Sequence, residues 1–164
     1  ANYAREKNIP YLGICFGFQL AAVAFGRHVL NYSDANSTEL DPNTAHPVVD
    51  LLPEQKSMSN LGGTLRLGAH DITIKLNTIA AKTYNANHVS RRHRHRYEIN
   101  TKYLPEFEKH GLIFSAESDN SKRMEMLEIP SHKFYFGVQF HPEFNSRPGY
   151  PEESFEAFIR ASAS

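Results

Sequence analysis

The sequence has almost no cysteine and no excess of either charge. Its single cysteine excludes an internal disulfide framework and is typical of a reducing compartment. Lysine plus arginine and aspartate plus glutamate number 18 each in a chain of 164 residues, so overall charge provides no attraction to nucleic acid or to an anionic membrane. No apolar run is long enough to span a bilayer. We therefore predict a cytoplasmic globular protein without nucleic-acid or membrane partners.

The first residues have the pattern of a helix that has already begun. The chain opens on Ala1 rather than methionine, and residues 1–8 are polar and compatible with a helix. No signal-peptide pattern is visible. We expect residues 1–164 to form one partial domain, truncated at its N-terminus.

Hydrophobic patterning predicts an α/β protein. The apolar run Ile9–Ile14 is typical of a buried parallel strand, and the segment from Gln19 onward is rich in helix formers. Further strands are predicted at 48–52, at 64–75 as a pair around Gly68, and at 97–100, 112–118, 124–129 and 135–140. Further helices are predicted at 79–84, 104–110 and 153–161, and residues 53–63 are predicted to be a loop. Helix, strand, sharp turn and helix in succession are typical of α/β folds.

The predicted turn between the first strand and the helix carries the cysteine. Gly13, Cys15 and Gly17 have the Gly-x-Cys-x-Gly spacing of a nucleophile elbow, with sulfur in place of a hydroxyl. We expect both glycines to remove Cβ clashes at the turn, and the helix N-terminus to favour the thiolate. The backbone N–H of Phe16 is a candidate oxyanion donor. The alternative is that Cys15 is a small buried hydrophobic residue.

A second candidate site lies near the C-terminus. The buried strand at 135–140 is followed directly by His141, Pro142 and Glu143. A thiol nucleophile needs a base, and the base needs a group that fixes its tautomer, so His141 and Glu143 are candidates for these roles. The alternative for His141 is a solvated residue at a strand end. One cysteine and scattered histidines lack the close spacing of a zinc site.

The densest basic run, Arg91–Arg96, stands beside Tyr97. Basic and aromatic side chains together can hold phosphates and stack on bases, which makes nucleic-acid binding an alternative function. The zero net charge and the lack of a second basic stretch argue against it.

In five segments the sequence resembles the class I (triad) glutamine amidotransferases, and among these the glutaminase domains of the CTP synthases. The matching segments run in order from residue 9 to about 148. They are Pro10–Gln19 with His141–Glu143, Asp34–Glu39, Gly62–Gly68, Arg92–Glu98 and Phe144–Pro148. The resemblance implies a three-layer, flavodoxin-like fold with a mostly parallel central sheet. Another triad amidotransferase, a γ-glutamyl hydrolase or a catalytically silent regulatory piece remain alternatives.

The resemblance also implies roles for individual residues. Cys15 would attack the glutamine amide, His141 would transfer the proton, Glu143 would orient His141, and Phe16 would contribute its backbone N–H to the oxyanion hole. The residues implied to hold glutamine are Gln19, Glu39, Arg96 and Tyr97. Without the resemblance, Glu39 is more simply a solvated loop carboxylate, and Gly62–Gly68 a simple hairpin.

The partners implied by the resemblance lie largely outside this domain. No cofactor or metal is expected in the domain itself. A separate synthetase domain would use the ammonia, with ATP and Mg²⁺, to convert UTP to CTP. GTP would activate the glutaminase step, with Gly62–Gly68 implicated as a lid, and the complete enzyme would be a homotetramer. A glycine-rich loop upstream of the nucleophile would supply a second oxyanion donor.

Overall fold

The computed structural model describes residues 1–56 and 65–164, within which the chain forms nine strands and six helices. The strands are β1 Tyr11–Ile14, β2 Asn36–Ser37, β3 Pro47–Asp50, β4 Arg66–Ile74, β5 His88–His95, β6 Glu98–Ile99, β7 Ile113–Ser118, β8 Arg123–Glu128 and β9 Tyr135–Val138. The helices are α1 Asn2–Glu6, α2 Phe16–His28, α3 Pro53–Lys56, α4 Ile79–Tyr84, α5 Leu104–Lys109 and α6 Glu153–Ala163.

Six strands form the central sheet in the order β1-β9-β8-β7-β4-β5, and β2, β3 and β6 form a smaller sheet. The central sheet is mixed. Among the described strands of this sheet, β1 and β9 form the parallel pair, and the other four pairings are antiparallel. The α/β class agrees with the sequence prediction, but the expected parallel arrangement holds here only around β1 and β9. Residues 119–122 join β7 and β8 as a hairpin.

Helices cover both faces of the central sheet, which gives the expected three layers. On one face α2 and α5 pack on side chains that include Phe114, Leu127 and Tyr135. On the other face α4 and α6 pack on a second cluster that includes Phe136 and Val138. Tyr135 and Phe136 therefore belong to opposite layers because successive side chains of a strand point to opposite faces. This burial fixes β9, and so fixes where the chain leaves the sheet toward His141.

Helix α2 is the element that positions the candidate nucleophile, Cys15. It begins at Phe16, three residues earlier than its helix-forming composition predicts, and ends at His28. Gly26 lies inside the helix, where an added Cβ would come within 3.0 Å of the Ala35 Cβ. Gly26 is therefore a close-packing site and not the end of the helix. The side chain of Phe18, in the first turn of the helix, is fully buried in the core cluster on this face of the sheet.

The largest error of the sequence prediction concerns β4 and β5. Residues 64–75 are not two strands paired around Gly68. The described part is one nine-residue strand, Arg66–Ile74, which pairs with β5. Residues 91–95, predicted as a basic run leading to a strand, lie inside β5 itself. Only Thr73 and Ile74 of β4 pair with β7, so most of the β4–β5 hairpin extends beyond the rest of the sheet.

Two further predictions fall partly outside the described residues. The loop predicted at 53–63 begins with the short helix α3, and its remainder from 57 onward is not described. Residues 62–64 of the expected lid are likewise outside the described ranges. Within residues 1–56 and 65–164, every helix is too short or too polar to cross a membrane.

Candidate active site

Cys15 lies at the sharp turn between β1 and α2. It is the residue that precedes the first residue of α2, and its φ of 50° is in a region that non-glycine residues seldom occupy. The Cys15 N–H donates to the Val138 carbonyl at 2.8 Å, which fastens the turn to β9. A strained backbone at a strand-to-helix turn is the arrangement that presents a nucleophile above the edge of a sheet.

The two glycines around Cys15 do not have the same role. A Cβ on Gly13 would lie 2.8 Å from the backbone carbon and oxygen of Gly17, so Gly13 allows the close approach of strand and helix. A Cβ on Gly17 would meet nothing nearer than the Tyr11 hydroxyl at 3.7 Å. The prediction that both glycines relieve a clash is therefore right for Gly13 and wrong for Gly17. The Gly17 carbonyl instead accepts a hydrogen bond from that hydroxyl.

Opposing effects act on the Cys15 thiol. Burial raises its pKa, and the negative charges of Glu143 and Glu39 raise it further, whereas the backbone N–H of Phe16 and the side chain of Gln139 lower it. Phe16 therefore lies where its N–H can stabilise negative charge at the sulfur. The N-terminus of the 13-residue helix α2 favours the thiolate as well.

His141 and Glu143 form the predicted pair. His141 Nδ1 lies 2.6 Å from Glu143 Oε1, in a 3₁₀ turn at Pro142–Phe144. This contact leaves Nε2 as the nitrogen that can accept a proton. The pair is not buried, since the side chains of His141 and Glu143 are 23% and 50% exposed.

The two halves of the site come together because β1 and β9 are parallel neighbours. Ile14 pairs with Val138, so Cys15 and His141 follow the carboxyl ends of adjacent strands. Ligand and catalytic groups of α/β sheets collect at such strand ends. The β4–β5 hairpin reaches the same place, since the Arg92 carbonyl accepts from the His141 N–H at 2.9 Å and the Arg94 carbonyl is 4.0 Å from the Cys15 sulfur.

One pocket of about 570 Å³ opens beside the sulfur. Six predicted site residues line it, namely Cys15, Phe16, Gln19, Glu39, Arg96 and Tyr97. His141 and Glu143 are not among its lining residues. The structure thus gathers the candidate nucleophile and all four candidate glutamine-binding residues at one cavity.

Two lining residues carry opposite charges. Glu39 is exposed, and its charge acts on the Cys15 thiol. The Nε of Arg96 is buried and has no hydrogen-bond partner in the described part of the chain. A buried unpaired guanidinium nitrogen is costly unless a ligand completes its contacts. An acidic and a basic group in one pocket suit a ligand that carries both an ammonium and a carboxylate.

The basic run does not form a continuous basic surface. Along β5 the side chains of Arg91, His93 and His95 are buried, whereas Arg92 and Arg94 are exposed. Arg91 forms ion pairs at the start of α6, at 3.1 Å with Glu152 and at 2.8 Å with Glu153. The alternation removes the main feature that favoured nucleic-acid binding.

A buried polar cluster holds β4 and β5 against β8. Glu125 is fully buried and accepts from Arg66 at 2.6 Å and from the His93 Nε2 at 2.8 Å. Burial raises the pKa of Glu125, but the hydrogen bond with His93 and the charge of Arg66 outweigh it and bring the pKa to about 2. Glu125 and His93 had no predicted role. For His93 the available signal was its alternation with the arginines of β5.

Gln139 is the site residue that the sequence analysis missed. It follows β9, is fully buried, and its Nε2 lies 3.8 Å from the Cys15 sulfur. It also contacts Gln19, whose Nε2 donates to the Gln139 Oε1 at 3.1 Å and to the Tyr97 carbonyl at 3.0 Å. Since both N–H bonds of the Gln19 amide are used, only its oxygen remains for a ligand. The signal was one amide residue in an otherwise apolar segment.

Comparison with known proteins gives a consistent result. A family model described as glutamine amidotransferase class-I matches residues 1–161. A protein named CTP synthase from Archaeoglobus fulgidus is 58% identical over 98% of this chain, and one from Staphylococcus saprophyticus is 54% identical over 98%. The chain spans about 30% of the length of each of these relatives.

A solved structure supports the same fold. The glutaminase domain of Trypanosoma brucei CTPS with bound acivicin is 42% identical to this chain and superposes with a TM-score of 0.92. The match covers 98% of this chain and 62% of that one. The predicted family and fold are thereby confirmed.

Proposed function

The chain belongs to the class I glutamine amidotransferase family, and from this premise we propose that it is the glutaminase part of a CTP synthase. The observation that carries the proposal is the position of Cys15, at a strained strand-to-helix turn facing a pocket that contains both Glu39 and Arg96. The names of the relatives, together with their identity over nearly the whole chain, support CTP synthase over other amidotransferases.

The substrate is L-glutamine. Its α-ammonium group would bind Glu39 and the free amide oxygen of Gln19, and its α-carboxylate would bind Arg96, whose buried Nε has no partner in the described residues. Tyr97 lines the same pocket. These contacts would place the side-chain amide of glutamine at the sulfur.

The reaction then follows from the residues at the turn. His141 takes the proton of the Cys15 thiol, and the thiolate attacks the amide carbon while the Phe16 N–H stabilises the negative charge on the oxygen. His141 gives a proton to the amide nitrogen, which leaves as ammonia, and a γ-glutamyl thioester remains. His141 next takes a proton from water, whose oxygen attacks the thioester carbon and releases glutamate and the thiolate. Glu143, bonded to Nδ1, fixes the tautomer of His141 throughout.

The finer parts of the proposal concern the whole enzyme. A synthetase domain would consume the ammonia in an ATP- and Mg²⁺-dependent amination of UTP. GTP activation, a homotetramer and a cytoplasmic location complete the proposal and stay predictions.

Covalent labelling tests the nucleophile. In the full-length protein a glutamine analogue with a diazo-ketone at the amide position should add one label, at Cys15, and mass spectrometry of the digested protein locates it. Cys15→Ala should take up none. Label at another residue, or none in the wild-type protein, would contradict the proposal.

Arg96→Ala tests the substrate pocket. We expect a loss of glutamine-dependent CTP formation on the order of 10²-fold, because a charged hydrogen-bonded contact is removed, with ammonia-dependent CTP formation retained. Arg160→Ala is the matched control, since Arg160 is an exposed arginine of α6. Equal loss of both activities would indicate a structural role for Arg96 instead.

A further inference from the structure

Gln139 and Gln19 form a buried amide relay that leads from a backbone carbonyl to the nucleophile. Their side chains are 0% and 3% exposed, and they come from the strand end after β9 and from helix α2. The Gln139 backbone N–H donates to the Glu125 carbonyl at 2.8 Å, which ties this end of the relay to β8. Two amides enclosed in this way have few orientations open to them.

The Tyr97 carbonyl, at the end of the relay away from the sulfur, fixes the direction of every hydrogen bond in it. The Tyr97 carbonyl can only accept, so the amide nitrogen of Gln19, not its oxygen, must face it at 3.0 Å. The same nitrogen donates its second hydrogen to Gln139 at 3.1 Å, so the oxygen of Gln139 must face Gln19. The nitrogen of Gln139 is thereby turned toward the Cys15 sulfur, 3.8 Å away.

A donor in this position distinguishes the two forms of the sulfur. A thiolate accepts an N–H hydrogen bond strongly, whereas a thiol accepts weakly. Burial disfavours ionisation of the sulfur, and the negative charges of Glu143 and Glu39 disfavour it further. A neutral donor that cannot rotate away offsets these effects without introducing another charge into the pocket.

We infer that Gln139 is a further catalytic residue of the site, whose amide N–H stabilises the Cys15 thiolate and is held in that orientation by Gln19. The inference deepens the proposed glutaminase function and rests on it for its role in turnover. The effect on the thiolate does not depend on turnover and can be measured directly.

Other charged and titratable groups around the sulfur must stay constant in the test. Those that line the pocket or act on the sulfur are Glu39, Arg94, His95, Arg96, Tyr97 and Glu143, together with His141 through its contact with Glu143. None is altered in the variants below.

The experiment measures the pH dependence of alkylation at Cys15. The full-length protein is treated with short pulses of iodoacetamide from pH 5 to 11, and the rate at the peptide that contains Cys15 is followed by mass spectrometry. Gln139→Met removes the donor, and Gln139→Glu keeps an oxygen for Gln19 but puts a carboxylate beside the sulfur. Gln19→Met leaves Gln139 in place and frees its amide to rotate. Ser115→Ala, at a fully buried serine on β7, is the control for loss of a buried polar group.

We expect the midpoint to rise by about one pH unit in Gln139→Met, because a hydrogen bond to an ionised group is lost. The rise should be larger in Gln139→Glu and smaller in Gln19→Met, and the whole profile should be unchanged in Ser115→Ala. Below the midpoint the alkylation rate of Gln139→Met should be about tenfold lower than that of the wild type.

An unchanged midpoint in folded Gln139→Met and Gln139→Glu would overturn the inference and leave Gln139 as a space-filling residue. If the Gln139 variants do not fold, Gln19→Met decides the question, since a raised midpoint supports the inference and an unchanged one overturns it. A wild-type protein that does not hydrolyse glutamine would refute the proposed function but leave the comparison of midpoints intact. Hydrolysis with unshifted midpoints would refute only the inference.

Discussion

The two halves of the candidate site are held by different means. Cys15 is fixed by its own backbone, by the close approach of Gly13 to helix α2, and by the buried amide of Gln139. The pair of His141 and Glu143 stands in a short 3₁₀ turn, which backbone bonds within the turn and one backbone bond to β5 hold in place. Within the described part of the chain, the imidazole of His141 has one side-chain hydrogen-bond partner, Glu143. The candidate nucleophile is therefore positioned by backbone and packing, whereas the orientation of the candidate base depends on a side-chain contact that a single substitution can remove.

The base side should show the largest change in rate. We expect His141→Ala to lower glutamine hydrolysis on the order of 10³-fold, because general acid–base catalysis contributes at this scale. Glu143→Ala keeps the imidazole but loses its orientation, and we expect a loss of about 10- to 10²-fold. The double variant should be little worse than His141→Ala, since no imidazole remains to be oriented.

Steady-state glutamine hydrolysis by the three full-length variants checks this prediction, and ammonia-driven CTP synthesis controls for folding. Additive losses in the double variant would mean that His141 and Glu143 act independently. The interpretation of the two residues as one functional pair would then be wrong.

Low pH should destabilise β5 and the turn that carries His141 more than it destabilises the turn that carries Cys15. Glu125 anchors β5, which holds the His141 backbone, and its folded-state pKa is about 2 against an ordinary 4.5. A depressed carboxyl pKa contributes stability that is present above the unfolded-state value and lost as pH falls from about 4.5 toward 2. We expect losses on the order of a few kcal/mol in this window.

Hydrogen exchange in the full-length protein can detect the difference. Between pH 5 and 3, amide protection factors in β5 and at 141–144 should fall more than those at the start of α2. Glu125→Gln removes this titration, so its protection should be lower at neutral pH and change less with acid. Glu106→Gln, at an exposed carboxylate on α5, should behave as the wild type does. Uniform loss at both sides would contradict the comparison.

The turn that carries Cys15 could be predicted from the sequence more completely than the elements that surround His141. The elbow could be predicted because Gly13, Cys15 and the start of α2 are neighbours in the chain, so that local spacing encodes the turn. Strand β5 was missed because its buried side chains include arginine and histidine. Hydrophobic periodicity does not mark such a strand.

Contacts between distant segments account for the rest of what was missed. The partner of His93 is Glu125, 32 residues away, and the partner of Gln139 is Gln19, 120 residues away. No local pattern identifies such pairs before the strands are placed. In contrast, the strands β7, β8 and β9 were predicted closely, because each is a run of mostly apolar residues that are neighbours in the sequence.

The smallest effects are expected at the elbow glycines, which test the packing of the nucleophile side. In Gly13→Ala the new Cβ would lie 2.8 Å from the Gly17 backbone, which cannot move without displacing α2. We expect a destabilisation of about 1–3 kcal/mol, typical of overpacking, together with slower labelling of Cys15.

Gly17→Ala is the matched control for Gly13→Ala. Its Cβ would make only an ordinary contact with the Tyr11 hydroxyl at 3.7 Å, in a helix, where alanine is favoured over glycine by up to about 1 kcal/mol. Urea unfolding of the full-length variants measures the free energy of unfolding of Gly13→Ala and of Gly17→Ala, and the rate of Cys15 labelling is followed in parallel. A Gly17→Ala variant as damaged as Gly13→Ala would mean that the turn needs glycine on both sides and that the nucleophile is not held by the approach of strand and helix at Gly13.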